Sequence, residues 1–382
     1  MEKVNQRHSL DLAAIFREYG GSFLANHKLC SDQMKAYKAI CACRTEAMGG
    51  HVGTCNHCEY RQVSYNSCRN RHCNKCQYTK QLVWIDKLRS ALPVCRYFHV
   101  VFTIPAELHK TFYINQRECY RLLFKASAQT LQKVGSNPKF LGAQTGAVSV
   151  LHTWGQALTY HPHIHMLIPA GGLSEDEMEW VHASKKFFLP VKALSSVFRG
   201  VVWGMLEAGI KNGHIKPADH FKEVFGLKKV LYSKNWNVYA KKPVAGPESV
   251  VQYLGRYTHR VAICNSRLVA AHEGKVTFRW KDYRKRLNKK LLTLDAHQFI
   301  GRFMRHILPS GFYKIRYYGL LASANHNKKE QCIRLIGKTT PVSLLQGLAT
   351  MQVLKIVTGK APDLCPNCRQ GKLMPKTILD PI

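Results

Sequence analysis

Residues 146–170 read GAVSVLHTWGQALTYHPHIHMLIPA. The segments GAVSVLHTWG and HIHMLIPA are rich in aliphatic, β-branched and aromatic residues and are bounded by glycine and proline, which predicts two strands joined by ALTYHP. Upstream, YFHVVFTIP (Tyr97 to Pro105) has the same character and ends at a proline, so it reads as a third strand. Helical patterns are predicted from Lys80 to Leu92, stopped by Pro93, from Asn115 to Val134, from Ala193 to Gly209 and, after the turn-forming PVAGPE, from Ser249 to Tyr257. Before residue 78 the chain reads as polar, cysteine-rich loops. Strands alternating with helices, with one strand pair close in sequence, predict an α+β fold with an antiparallel or mixed sheet.

The same stretch carries chemistry. His161, His163 and His165 stand at every second position, and along a strand successive side chains alternate faces. His163 and His165 therefore project together while Ile164 points to the core. Two imidazoles on one face beside an apolar strand suit a divalent ion with open coordination positions. No carboxylate is near in sequence, so a third ligand is expected from His161, Gln156 or a residue brought in by the fold.

Charge narrows the partner. With 57 Lys and Arg against 23 Asp and Glu, the net charge of +34 excludes an ordinary neutral metabolic enzyme and points to a polyanion, most often nucleic acid. The 46% hydrophobic content excludes a disordered basic tail. The excess is weighted towards the second half: net +12 over residues 1–200 (25 basic, 13 acidic) against +22 over 201–382 (32 basic, 10 acidic). Within it, KVTFRWKDYRKRLNKK (Lys275 to Lys290) interleaves basic residues with Phe278, Trp280 and Tyr283, a pattern for phosphate contacts and base stacking or, equally, a solvated hairpin face.

The opening MEKVNQRHSLDLAAIFREYG has no apolar leader, and no stretch approaches ~18 consecutive apolar residues, so no membrane span and a cytoplasmic location are expected. There thiols stay reduced, and clustered cysteines point to metal. Cys55 and Cys58 form one CxxC and Cys73 and Cys76 another, spaced to close a tetrahedral zinc site. Cys43, His51, Cys68 and His72 stand around them, enough for a second zinc in a cross-braced arrangement. Their alternative is burial for Cys68 and surface or phosphate-facing roles for the two histidines. Cys365 and Cys368 form a third CxxC with no evident partner, either half a ribbon completed by distant residues or a tight turn. Cys30, Cys95, Cys119, Cys264 and Cys332 are scattered and read as small buried hydrophobes.

In SVVQYLGRYTHRVAI, Tyr253 and Tyr257 lie four apart, on one face of a helix, with Arg256, His259 and Arg260 around them. Such spacing usually means packing, but the surrounding positive charge is not what a core requires. A phenol with a pKa of about 10 becomes a competent nucleophile when a metal and cations polarise the phosphate it attacks. There is no GxxxxGK[ST] loop, so no nucleotide cofactor is expected.

An HxH strand together with a YxxxY helix resembles the HUH single-strand endonucleases. More specifically the chain is similar to the rolling-circle transposases of the IS-ninety-one family. The similarity runs through GGHVGTC, YNSCRNRHCNKCQ, YFHVVFTIP, HPHIHMLIPAGGLS, YLGRYTHRVAI, TFRWKDYR and GFYKIRYYGLLA, with Asn74 standing where proline is expected. The resemblance implies a central antiparallel sheet flanked by helices. It implies an N-terminal helical and zinc-binding domain (1–92), an HUH nuclease domain (93–265) and a basic C-terminal DNA-binding region (266–382). It assigns Mg2+ or Mn2+ to His163 and His165, nucleophilic roles to Tyr253 and Tyr257, and zinc to the N-terminal domain. DNA contacts are expected from Arg256, Arg260, Arg279, Trp280, Lys281, Tyr283 and Arg284. The implied activity is nicking and rejoining of single-stranded DNA at insertion-sequence ends through a 5′ phosphotyrosine. The alternatives are a plasmid replication initiator or relaxase with the same chemistry, and a zinc-dependent DNA-binding regulator without catalysis.

Overall fold

A computed structural model describes residues 10–184, 189–218, 224–244, 262–282 and 288–382. In chain order its elements begin with α1 (Leu12–Asn26), α2 (Ser31–Ala42), β1 (Gly50–Cys55), β2 (Arg61–Tyr65), α3 (Tyr78–Ala91), β3 (Tyr97–Thr103), α4 (His109–Ile114) and α5 (Gln116–Gly135). They continue with β4 (Gly146–Trp154), β5 (Tyr160–Pro169), β6 (Gly171–Leu173), β7 (Trp180–His182), α6 (Val191–Lys211), α7 (Val224–Tyr232) and β8 (Val238–Val244). The remainder is β9 (Leu268–His272), β10 (Lys275–Asp282), β11 (Asn288–Asp295), α8 (Ala296–Met304), β12 (Ile315–Gly319), α9 (His326–Ile336), α10 (Thr350–Thr358) and β13 (Leu373–Leu379).

The central sheet is five-stranded, in the order β12-β4-β5-β3-β8, and every pairing is antiparallel. Alternation along β5 and its neighbours sorts the side chains. Ile164, Met166 and Ile168 with Phe98, Val100 and Phe102 enter a core roofed by α5 and α6, where Phe102 meets Phe198 at 4.9 Å. Each such fully buried side chain contributes roughly 1.5–3 kcal/mol. The opposite face carries Tyr97, Val148, Val150 and Leu167, closed at one end by Leu88 and Leu92 from the α3 region. The strands are covered on both faces, so β4 is almost wholly buried and reads as a nearly continuous apolar run. At the sheet's other edge Gly319 has φ +57°, and a β-carbon there would collide with the Thr145 carbonyl; only glycine lets β12 run on from its register with β4.

The loops expected before residue 78 are instead largely ordered elements. Asp11 caps α1 by accepting from the Ala14 N–H at 2.8 Å, and Leu12, Ile15, Phe16 and Phe23 form the helix's buried face. That face and α2 pack on β9-β10-β11 and α8, where Phe278, Phe299 and Phe303 lie. Sequence beyond residue 265 is spread through the molecule: β12 joins the central sheet, β9 to β11 back the N-terminal helices, and β13 pairs with β1 in a third sheet, β13-β1-β2. Among the scattered cysteines, Cys119 and Cys332 are buried, Cys95 and Cys264 partly so, and Cys30 is exposed.

Candidate metal centres

On the second face of the central sheet, β5 pairs with β4 so that His163 lies directly opposite His152. His165, two residues on, projects from the same face. One nitrogen from each of His152, His163 and His165 lies within 4.8 Å of the other two. The expected pair is thus brought together, and the third imidazole comes from β4. His161 stands aside, edge-on to His109 at 5.6 Å, and the Gln156 carbonyl accepts from Arg267.

The local hydrogen bonds orient the rings. A carbonyl can only accept, so the 2.6 Å contact from His163 Nδ1 to the His161 carbonyl places the proton on Nδ1 and leaves Nε2 with its lone pair. His165 Nδ1 meets His99 Nε2 at 2.8 Å, with the two rings stacked, and His152 stacks on Trp154. Such outer partners fix tautomer and ring plane at metal sites. Burial holds His163, His165 and His99 neutral at pH 7. It lowers His163 to about 4 and His165 well below its ordinary value, the latter helped by neighbouring His152 and His163, while His99 is lowered to about 3 by burial and by Lys241. Neutral imidazole is the ligating form.

His306, buried between the Thr153 hydroxyl and the Leu158 carbonyl, is lowered to about 4 by burial, and His72 to about 3. These folded-state values lie below the unfolded value of about 6.5. Their stabilisation is therefore full above about pH 6.5 and is lost as pH falls towards 4. At pH 5 each buried imidazole of this kind costs up to about 2 kcal/mol. Urea unfolding is expected to show a clearly lower midpoint at pH 5 than at pH 7.5; equal midpoints would mean that these rings are hydrated.

The cysteines assemble differently from the cross-brace expected. Cys43 at the end of α2 joins Cys68, Cys73 and Cys76, with Cys43 Sγ 3.2 Å and Cys68 Sγ 3.6 Å from Cys76 Sγ. Neighbouring thiols drive Cys43 down to about 2 while pushing Cys68 up to about 12. Four adjacent thiolates cannot coexist without a cation, and an all-sulfur set of four is the donor set of structural zinc. Cys55 and Cys58 do not share a site with Cys73 and Cys76. The pairing of β1 with β13 brings them instead to Cys365 and Cys368, so the third CxxC is half a ribbon completed at a distance. His51 and His72 belong to neither group. His51 points outward from β1, opposite Ser64 and Ile378. His72 is buried, with its Nε2 accepting from the Leu308 N–H at 3.2 Å.

Tyr253, Arg256, Tyr257, Arg260, Tyr283 and Arg284 lie outside the described residues. Ala262 and Ile263 are buried against the α1 and α2 core. Asn74, where the resemblance expects proline, donates through Nδ2 to the Ile263 carbonyl at 2.8 Å and to Asn265 Oδ1 at 3.2 Å. It ties the cysteine loop to the segment that follows the tyrosines. On the β10–β11 hairpin, Arg279 and Lys281 face solvent with Lys289, whereas Trp280 lies on the covered face, half-buried beneath Lys290. His152 and His99 are not picked out as ligand or partner by the sequence; both sit in the predicted strands, each as a lone histidine without a spacing signal, whereas the Cys365–Cys368 pair reads there as half a ribbon or a tight turn with no partner named.

A family model described as "Putative transposase" matches residues 146–330, and one described as "Transposase zinc-binding domain" matches 15–104. The "Putative transposase y4qJ" of Sinorhizobium fredii is 41% identical over 387 residues, covering 98% of this chain and 96% of its own length. The "Transposase for insertion sequence element IS801" of Pseudomonas savastanoi pv. phaseolicola is 28% identical over 297 residues, covering 76% and 70%. No solved structure matches.

Proposed function

The chain belongs to the IS-ninety-one family of transposases, and we propose that it nicks and rejoins single-stranded DNA at insertion-sequence ends through a 5′ phosphotyrosine. The observation that carries this reading is the convergence of three buried imidazoles, His152, His163 and His165, inside the segment matched by the transposase model. A protein that only gripped DNA would have no use for them.

These three residues would hold a divalent ion, Mn2+ or Mg2+, which when bound polarises the scissile phosphate. Three nitrogens leave the other positions to oxygens of water and phosphate, a mixed set that favours Mn2+ over Mg2+. The His161 carbonyl and His99 keep the ligating nitrogens aimed. Tyr253 or Tyr257 then attacks phosphorus. The tyrosyl O–P bond forms, the P–O3′ bond breaks, and the departing 3′ oxygen takes up a proton, leaving a 5′ phosphotyrosine and a 3′ hydroxyl. Attack by a 3′ hydroxyl reverses the step and rejoins the strand, so the energy of the bond is conserved and no nucleotide is consumed. The second tyrosine allows another transfer before the first is resolved.

Arg256 and Arg260 would offset phosphate charge beside the nucleophiles. Arg279 and Lys281, exposed on one face of the hairpin, suit backbone contacts, and Arg284 would add to them. Stacking falls to Tyr283, because Trp280 is turned to the covered face. The protein would act on DNA in the cytoplasm, and no helix among the described residues is long and apolar enough to cross a membrane.

The test is an incubation of the full chain with Mn2+ and a labelled single-stranded oligonucleotide carrying an element end. A denaturation-resistant protein–DNA adduct is expected, abolished by chelation and absent with the same sequence as a duplex. No adduct on any element end would leave a DNA-binding regulator as the better account.

A further inference from the structure

Half of the second thiol group lies where the zinc-binding family match does not reach. Cys55 and Cys58 belong to the matched residues 15–104, but Cys365 and Cys368 stand some 260 residues beyond it. The two CxxC turns are built alike. In the first, the Glu59 N–H donates to the Cys55 carbonyl at 3.2 Å and the His57 N–H to Cys55 Sγ at 3.4 Å, with Glu59 at φ +57°. In the second, the Arg369 N–H donates to the Cys365 carbonyl at 3.0 Å and the Gly371 N–H to Cys368 Sγ at 3.3 Å, with Arg369 also at φ +57°. Two left-handed, non-glycine turns with backbone N–H groups aimed at sulfur form a pair of facing knuckles. Such donors stabilise thiolate, the form in which cysteine binds a metal.

Cys55 Sγ lies 3.7 Å from Cys368 Sγ, and Cys58 Sγ 3.7 Å from Cys365 Sγ, with all four sulfurs within 4.8 Å of one another. Those separations are far beyond a disulfide bond of ~2.05 Å. They match the ~3.8 Å edge of a tetrahedron with Zn–S bonds of ~2.3 Å. Gly371 is part of the enclosure: a β-carbon there would sit 2.5 Å from Cys55 Sγ. We propose that Cys55, Cys58, Cys365 and Cys368 bind a second structural zinc ion, which fastens residues 363–379 to the N-terminal zinc-binding domain.

A reason for the metal is visible in β13 itself. The strand pairs with β1 from Gly50↔Leu379 to Cys55↔Leu373, yet Met374 and Ile378 are exposed and no residue of the strand is buried. Backbone pairing without a buried face is marginal in water. A metal clip closing a loop of about 300 residues supplies what the missing core does not. The inference does not depend on the strand-cleavage reading.

Two measurements on the full chain test it. Elemental analysis of purified protein is expected to give two zinc ions per chain, falling to one in the Cys365→Ser, Cys368→Ser double variant. Two zincs retained in that variant would overturn the proposal. Should the variant fail to fold, alkylation of the unmodified protein decides. Cys55, Cys58, Cys365 and Cys368 should be protected together and become reactive together as chelator removes the metal, whereas Cys30 reacts from the start. Cys365 and Cys368 reacting as fast as Cys30 while Cys55 and Cys58 stay protected would contradict the shared site.

Discussion

His163→Ala and His165→Ala are each expected to lower strand cleavage by about 10^3-fold or more while leaving zinc content and DNA binding intact. The size follows from what the rings supply. On the proposed mechanism, loss of one of three nitrogens removes the ion that would stabilise charge on the attacked phosphate, and loss of a single preorganised electrostatic group already costs about 10^2–10^3-fold. His152→Ala should behave like these two, since its ring completes the same trio. His99→Ala should differ in kind. Its ring touches His165 and not the reacting atoms, so it is a positioning residue whose loss weakens metal binding by about 10–100-fold and is largely recovered at high Mn2+. Titrating Mn2+ against cleavage rate separates the cases: recovery in the His163 variant, or none in the His99 variant, would exchange their roles.

The second large effect is expected at the tyrosines. The double change Tyr253→Phe, Tyr257→Phe removes both hydroxyls with almost no change in volume, so packing and DNA binding should persist while strand transfer falls by at least about 10^4-fold. Each single variant should still form a covalent adduct but fail to complete transfer between two ends. The measurement is a strand-transfer gel alongside binding of the same oligonucleotide by anisotropy. If binding fell together with transfer, the pair would be packing residues.

How much of this was legible in the sequence follows the range of each interaction. The strands at 97–103, 146–154 and 160–169 and the shared face of His163 and His165 are set by period-two alternation, a local property, and the structure places them close to the reading, with β5 starting at Tyr160 inside the expected ALTYHP connection. His152 and His99 reach the same face only through strand pairing. His152 is opposite His163 across the turn, and His99 arrives on β3 from more than sixty residues upstream; as lone histidines neither has a spacing signal. The cysteines show the same limit. Neighbouring CxxC pairs suggest each other as partners, yet the sheet pairs β1 with β13, and the knuckle that meets Cys55 and Cys58 is the one at Cys365 and Cys368. Cys43 and Cys68, left to complete Cys73 and Cys76, displace His51 and His72 from the ligand sets. The helices at 12–26 and 31–42 were hidden by polar residues on their exposed faces; Phe16, Phe23 and Ile40 find their core only against β10 and α8. Part of the +34 acquires a place as well, because alternation on β10 puts Arg279 and Lys281 on the open face while Val276, Phe278 and Trp280 turn towards the covered one.

The central claim is that a tyrosine of the YxxxY pair becomes joined to the 5′ end of a cleaved single strand. Peptide mapping of the covalent adduct by mass spectrometry tests it most directly. The account predicts a nucleotide phosphate carried on Tyr253 or Tyr257, formed with Mn2+ and absent from the double phenylalanine variant. Attachment at any other residue, or cleavage that releases a free 5′ phosphate with no protein-bound intermediate, would contradict it.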